Sequence, residues 1–137
     1  MPRTMFVWLM TLCAFVSCTP STSSARRVRV EVWRVGDDAL TSKFRDALET
    51  AFERSSSFAL SSGRQSSTLI VKIPTNLAWK RIGERIQVTY SVDFITERDE
   101  PVDTSIGSCW DDELSICADH VVKDAQAAAG RLRKPQG

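Results

Sequence analysis

Apolar and polar residues alternate in Val28-Arg-Val-Glu-Val32, and valines continue to Val35. A period of two predicts a strand over Val28–Val35 with Val28, Val30 and Val32 on one face. Gly36-Asp37-Asp38 ends the alternation, and an aspartate there accepts from the free amides of a new helix and suits its positive end. Leu40, Phe44, Leu48, Ala51 and Phe52 then recur at helical spacing. They predict a helix over Asp38–Arg54 whose apolar stripe packs into a core.

Ser55 to Gly63 has room for a short strand at Phe58–Leu60 between polar turns, and Thr68–Ile73 reads as a stronger strand ended by Pro74. The clearest strand is Arg85–Ile95, where Ile86, Val88, Tyr90, Val92 and Phe94 alternate with polar residues, as a half-buried strand requires. Between these strands, Thr75–Glu84 carries Trp79, Lys80, Arg81 and Gly83 and predicts a hairpin connection that extends both neighbours. Thr96–Asp103 reads as a charged turn. The last element is a helix over Asp111–Arg131 carrying Leu114, Cys117, Ala118, Val121, Val122 and Ala125. Ser108 or Asp111 is its expected cap, and Arg131 and Arg133 suit its negative end. The pattern predicts an α+β domain over residues 28–132. Its sheet is small and mainly antiparallel, with a mixed arrangement as the alternative. Three to five strands are packed by two helices in the order β-α-β-β-β-α.

The first 17 residues have a different character. One arginine, Arg3, precedes the uncharged run Met5–Val16, which at 12 residues is shorter than the roughly 20 that span a bilayer. This is the pattern of a signal peptide. Phe15-Val16-Ser17-Cys18 resembles the lipobox of bacterial lipoproteins, with Phe15 where that family usually places leucine, and the resemblance implies acylation of Cys18. Cleavage after Ser23-Ser24-Ala25 is the alternative, which extends the signal to residue 25. Residues 18–27 then read as a flexible tether and 133–137 as a disordered tail.

Four cysteines occur in the 137 residues. Cys13 leaves with the signal and Cys18 is acylated or removed, so Cys109 and Cys117 remain as the expected disulfide of an oxidising compartment. A continuous helix from 109 to 117 would separate their α-carbons by about 12 Å, beyond disulfide reach, so Cys109 is expected in a loop folded back on the helix face of Cys117. A thiol-redox role is the sharper alternative, but no Cys-x-x-Cys is present.

Charge removes further classes. Lys and Arg number 18 against 17 Asp and Glu, a net charge of +1, which is unlike a nucleic-acid binder. No phosphate-binding glycine loop, dinucleotide turn, serine elbow or zinc-binding His-Glu-x-x-His occurs. His120 is the only histidine, so no zinc site, no other metal and no cofactor is expected. His120 reads as a polar-face residue, its hydrolytic use being the alternative. Asp99, Glu100 and Asp103, with Asp111, Asp112 and Glu113, would offer oxygen ligands to a hard cation if the loop folded over the helix start; a solvated acidic edge is the plainer reading. Arg26, Arg27 and Arg29 follow the presumed anchor, where attraction to anionic headgroups competes with plain solubility.

Three tryptophans lie outside the signal: Trp33, Trp79 and Trp110. Trp33 is expected to cover the outer sheet face or a helix. Trp79 beside Lys80 and Arg81, together with Trp110, form the candidate partner-binding residues, because tryptophan is enriched in interface hot spots. Packing on the disulfide is the alternative for Trp110.

The order strand, helix, short strand, two long strands, helix resembles the TolB N-terminal domain and envelope lipoproteins such as LpoB and CsgG. The likeness covers about Arg26 to Ile95 and rests on Val28–Val35, the helix leading into Ser57-Phe58-Ala-Leu60, and Leu69–Ile73. Short, uncharacterised secreted bacterial proteins with a C-terminal cysteine pair are also similar, and they carry no activity over. The first resemblance implies an adaptor or assembly factor. The expectation is therefore a non-catalytic cell-envelope protein facing the periplasm. It would be anchored through Cys18, or soluble in the periplasm or secreted, and would bind another envelope protein. A small secreted hydrolase and a secreted enzyme inhibitor presenting the Cys109 loop are the alternatives.

Overall fold

The computed structural model describes residues 27–63 and 65–132. The expected signal, Cys18, the tether up to residue 26 and the tail 133–137 lie outside the described residues. The elements are β1 (Val28–Arg34), α1 (Ala39–Arg54), β2 (Phe58–Leu60), β3 (Thr68–Ile73), β4 (Ala78–Ile82), β5 (Arg85–Thr96), β6 (Pro101–Trp110), a 3₁₀ turn (Asp111–Glu113) and α2 (Leu114–Leu132). The class is α+β, as the pattern predicts, and the sheet is mixed. β1 pairs parallel with β2 and β3, whereas β5 pairs antiparallel with β3, β4 and β6.

Alternation along β1, β3 and β5 places Val30 and Val32, Leu69, Val71 and Ile73, and Val88, Tyr90, Val92 and Phe94 on one face, where they form a single buried cluster with both helices. α1 contributes Phe44, Leu48, Ala51 and Phe52, and Phe52 meets Phe58 of β2 edge-on with ring centroids 5.0 Å apart. Asp38 caps α1 by accepting the Thr41 N–H at 2.8 Å. That hydrogen bond holds the Asp38 carboxyl below its ordinary value, so the cap is lost as pH falls through the lowered value.

β5 is long enough to serve three strands. β3 pairs along Asp93–Thr96 and β4 along Arg85–Thr89 on one edge, while β6 runs along the other from Gln87 to Ile95. The gap between β3 and β4 begins at Pro74, which has no N–H to give a ladder. It is used to hold the start of α1. The Leu77 N–H donates to Thr41 Oγ1 at 3.0 Å, and Asn76 Oδ1 accepts from Asp37 N–H at 2.8 Å. Gly36 permits this approach, because a Cβ there would overlap Asn76. At the tip of the β4–β5 hairpin Gly83 has φ 62°, as the first central position of a two-residue hairpin turn requires.

β6 is the element that the sequence pattern does not predict. Thr96–Asp103 was expected as a charged turn, but the turn closes by residue 100. The Asp99 N–H reaches the Thr96 carbonyl at 3.0 Å, Asp99 adopts φ 62°, and the Thr96 N–H donates to the Glu100 carbonyl at 2.9 Å. The strand resumes at Pro101 with a bulge opposite Phe94 and Ile95. Cys109 is therefore on a strand and not in a loop. Nor does Ser108 or Asp111 cap the last helix: Trp110 occupies the cap position of the 3₁₀ turn, without a side-chain cap bond.

The inward positions of β6 meet α2 one after another. Asp103 pairs with Arg131 at 2.8 Å, Ser105 Oγ donates to Asp124 Oδ2 at 2.6 Å, Gly107 lies under the Tyr90 ring, and Cys109 is bonded to Cys117 with α-carbons 5.9 Å apart. Two strand residues advance about 6.6 Å and a helical turn about 5.4 Å, so α2 can run back along β6 making one such contact at nearly every turn.

Gly107→Ala should lower stability by about 1–3 kcal/mol in a denaturant titration, because the new Cβ would sit 2.6 Å from the Tyr90 hydroxyl. Reducing Cys109–Cys117 should cost about 2–3 kcal/mol, the closure entropy of so short a loop, with the helical circular dichroism retained.

Candidate partner-binding site

β4 and the first residues of β5 form an arm at the end of the sheet opposite Arg27. All five β4 residues are exposed. Register decides which face each candidate occupies. Trp79 lies opposite Val88, and Val88 opposite Cys109, so Trp79 is on the helix side; Arg81, opposite Ile86, joins it there. Lys80 lies opposite Gln87, and Gln87 opposite Trp110, which places Lys80 and Trp110 in one row on the other side. The four candidates thus share one end of the molecule but divide between its faces.

Trp79 is 60% exposed, and Ile82, on the opposite face of the arm, is also exposed. Trp110 is half-buried. It alternates with Cys109 and points away from the disulfide face, and the Arg85 guanidinium stacks over its ring at 4.2 Å. Arg85 also reaches Asp112 at 3.3 Å and Glu113 at 4.0 Å. Arg85 and Gln87 belong to the Lys80–Trp110 row but are absent from the sequence candidates. Only the β5–β6 register exposes that membership. Trp33 lies half-buried on the outer face of β1, opposite Lys72.

His120 has company. The Tyr90 hydroxyl and His120 Nδ1 are 2.5 Å apart, and Asp124 Oδ2 lies 4.0 Å from the same nitrogen. Asp124 in turn accepts from Ser105, which is buried. A serine, a histidine and an aspartate are therefore together, but in the wrong order for nucleophilic catalysis: the hydroxyl is bonded to the carboxylate, and the imidazole to a phenol. Burial pushes the Tyr90 phenol above its ordinary value of 10.0, the Asp124 carboxylate adds to the rise, and Ser105 opposes it.

The two acidic groups do not converge. β6 stands between Asp103 and Asp111, eight residues or about 26 Å apart along a strand. Asp103 is engaged with Arg131, and Asp112 and Glu113 with Arg85. Among the described residues no cluster of three or more His, Cys, Asp or Glu is placed to hold a metal ion, and no helix is long and apolar enough to cross a membrane.

No family model and no curated protein matches the chain. Among solved structures it is similar to a minor lipoprotein from Acinetobacter baumannii, with a TM-score of 0.48 and 10% identity over 76% of this chain and 94% of that one. It is also similar to an uncharacterized lipoprotein B from Nitrosomonas europaea, with a TM-score of 0.31 and 10% identity over 79% of this chain and 83% of that one. Likeness at these values assigns no role to this chain, and neither name refers to the TolB-type modules that the element order resembles.

Tyr90 is the only tyrosine, so phenolate absorbance reads it directly. Its midpoint should lie above 10 in the folded chain. The folded form then holds a proton that the unfolded form releases, so this stability is present below pH 10 and is lost as pH rises through the folded value. Tyr90→Phe should remove that alkaline loss.

Proposed function

We propose that this protein is a non-catalytic adaptor or assembly factor of the bacterial cell envelope, tethered through acylated Cys18 and facing the periplasm, with the β4–β5 arm as its contact for another envelope protein. The observation that carries the reading is Trp79. A tryptophan 60% exposed on a strand arm, with Arg81 on the same face, has the composition of an interface anchor. It stands at the end of the sheet away from Arg27, where the chain leaves for the tether, so a membrane-anchored domain would present it outward.

The alternatives lack a supporting arrangement. A hydrolase would bond its serine to His120, whereas Ser105 is bonded to Asp124. An inhibitor would present Cys109 on a projecting loop, whereas Cys109 is on β6 and bonded to α2.

Labelled palmitate should enter the wild type and not Cys18→Ala; equal labelling of the two removes the anchor. The tagged full chain should capture an envelope protein, and Trp79→Ala should reduce capture about tenfold while leaving thermal stability unchanged. Undiminished capture by Trp79→Ala would move the contact off the arm.

A further inference from the structure

The foot of the sheet, where β1 and β3 begin and β5 and α2 end, holds a cavity of 440 Å³ that the proposed function does not use. That volume suits a small ligand. Its wall has mixed charge: Arg27 and Arg29 come from the start of β1, and Glu97 from the end of β5. Thr68 also lines it. Thr68 is 1% exposed, and its Oγ1 is buried without a hydrogen-bond partner, a desolvation cost that nothing in the fold repays. Beside it Ser67 takes a left-handed backbone, φ 60°, uncommon for a non-glycine residue and a form of strain that collects at ligand sites. The Ser67 N–H donates to Glu97 Oε1 at 3.3 Å and so holds the carboxylate at the cavity wall.

These groups ask for two charges in one ligand. A simple anion would be drawn to the two guanidiniums and to Ser66 and Ser67, but would face the Glu97 carboxylate. A simple cation would meet the reverse conflict. A phosphate and an ammonium a few bonds apart satisfy both sides, and Val28, Ala129 and Leu132 supply an apolar wall for the rest of the molecule.

We propose that this cavity binds a zwitterionic phosphate ester of the phosphoethanolamine type. Arg27, Arg29 and Thr68 hold the phosphate, and Glu97 faces the ammonium. Thr68 lines the cavity, so a phosphate oxygen seated there would supply the partner its hydroxyl lacks. The same chemistry is available as a free ester or as a phospholipid headgroup. The lipid source rests on the lipoprotein reading: nine residues from Cys18 to Arg27 span at most about 30 Å, which keeps the foot near the headgroups. The cavity's own chemistry does not depend on acylation.

The test titrates the full chain carrying Cys18→Ser with O-phosphoethanolamine and with inorganic phosphate, read by amide chemical shifts. The ester should move Arg29, Ser67, Thr68 and Glu97 and should bind about tenfold tighter than phosphate. Thr68→Val, which keeps the shape and removes the orphan hydroxyl, should raise Tm yet weaken the ester about tenfold. Glu97→Gln should abolish the preference for the ester over phosphate. Failure of the ester to move these residues, or unchanged affinity in both variants, overturns the proposal. Vesicles then identify the source: retention by phosphatidylethanolamine over phosphatidylcholine, whose quaternary ammonium has no N–H for Glu97, supports a headgroup, and binding of the soluble ester alone supports the free ester. Because this protein is unacylated, loss of palmitate labelling in the wild type would leave the cavity result standing.

Discussion

Tyr90 stands where three elements must agree. Its ring is buried in the middle of β5, 5.4 Å from Phe44 of α1, and passes over Gly107 of β6 so that the hydroxyl meets His120 of α2. A larger residue at 107 would close that path, and a one-residue slip between β5 and β6 would put Ser108 or Ile106 under the ring and turn Cys109 away from Cys117. The register of the long antiparallel pair, the seat of α2 and the placing of the disulfide are therefore one constraint.

The placing of the candidate contact residues depends on that register. It sets Gln87 beside Trp110 and Val88 beside Cys109, which distributes Trp79, Lys80, Arg81 and Trp110 over the two faces of the arm. With α2 docked along β6, the last helical turn comes down beside the starts of β1 and β3 and closes the foot cavity. The arm and the foot are opposite ends of one sheet. One end offers an exposed tryptophan with Arg81 on its face, and the other offers charges of both signs around an unpartnered hydroxyl.

Legibility followed how each element buries itself. β1, α1, β3 and β5 bury aliphatic and aromatic side chains, so period two and period 3.6 announce them, and their ends are off by a residue at most. β6 turns Asp103, Ser105 and Gly107 inward because its partners there are Arg131, Asp124 and the Tyr90 ring, not a hydrophobic layer. Such a strand has no apolar alternation to show, and its partners lie too far along the chain to be inferred. The same limit applied to the sites. The residues at 79–81 suggested a contact surface, but the alternation that separates Trp79 from Lys80 needed the strand assignment. The foot cavity is assembled from the starts of two strands, a turn and two chain segments beyond them, so no local motif marks it.

The proposed role of the β4–β5 arm as the working surface of a tethered domain turns on what the arm touches in the cell. Site-specific photocrosslinking in intact cells tests it most directly, with the photoreactive residue placed at Trp79 or, as an exposed control on α2, at Gln126. A discrete crosslinked protein is expected from position 79 and none from position 126. Crosslinking of the same protein from both positions, or from 126 alone, would contradict it.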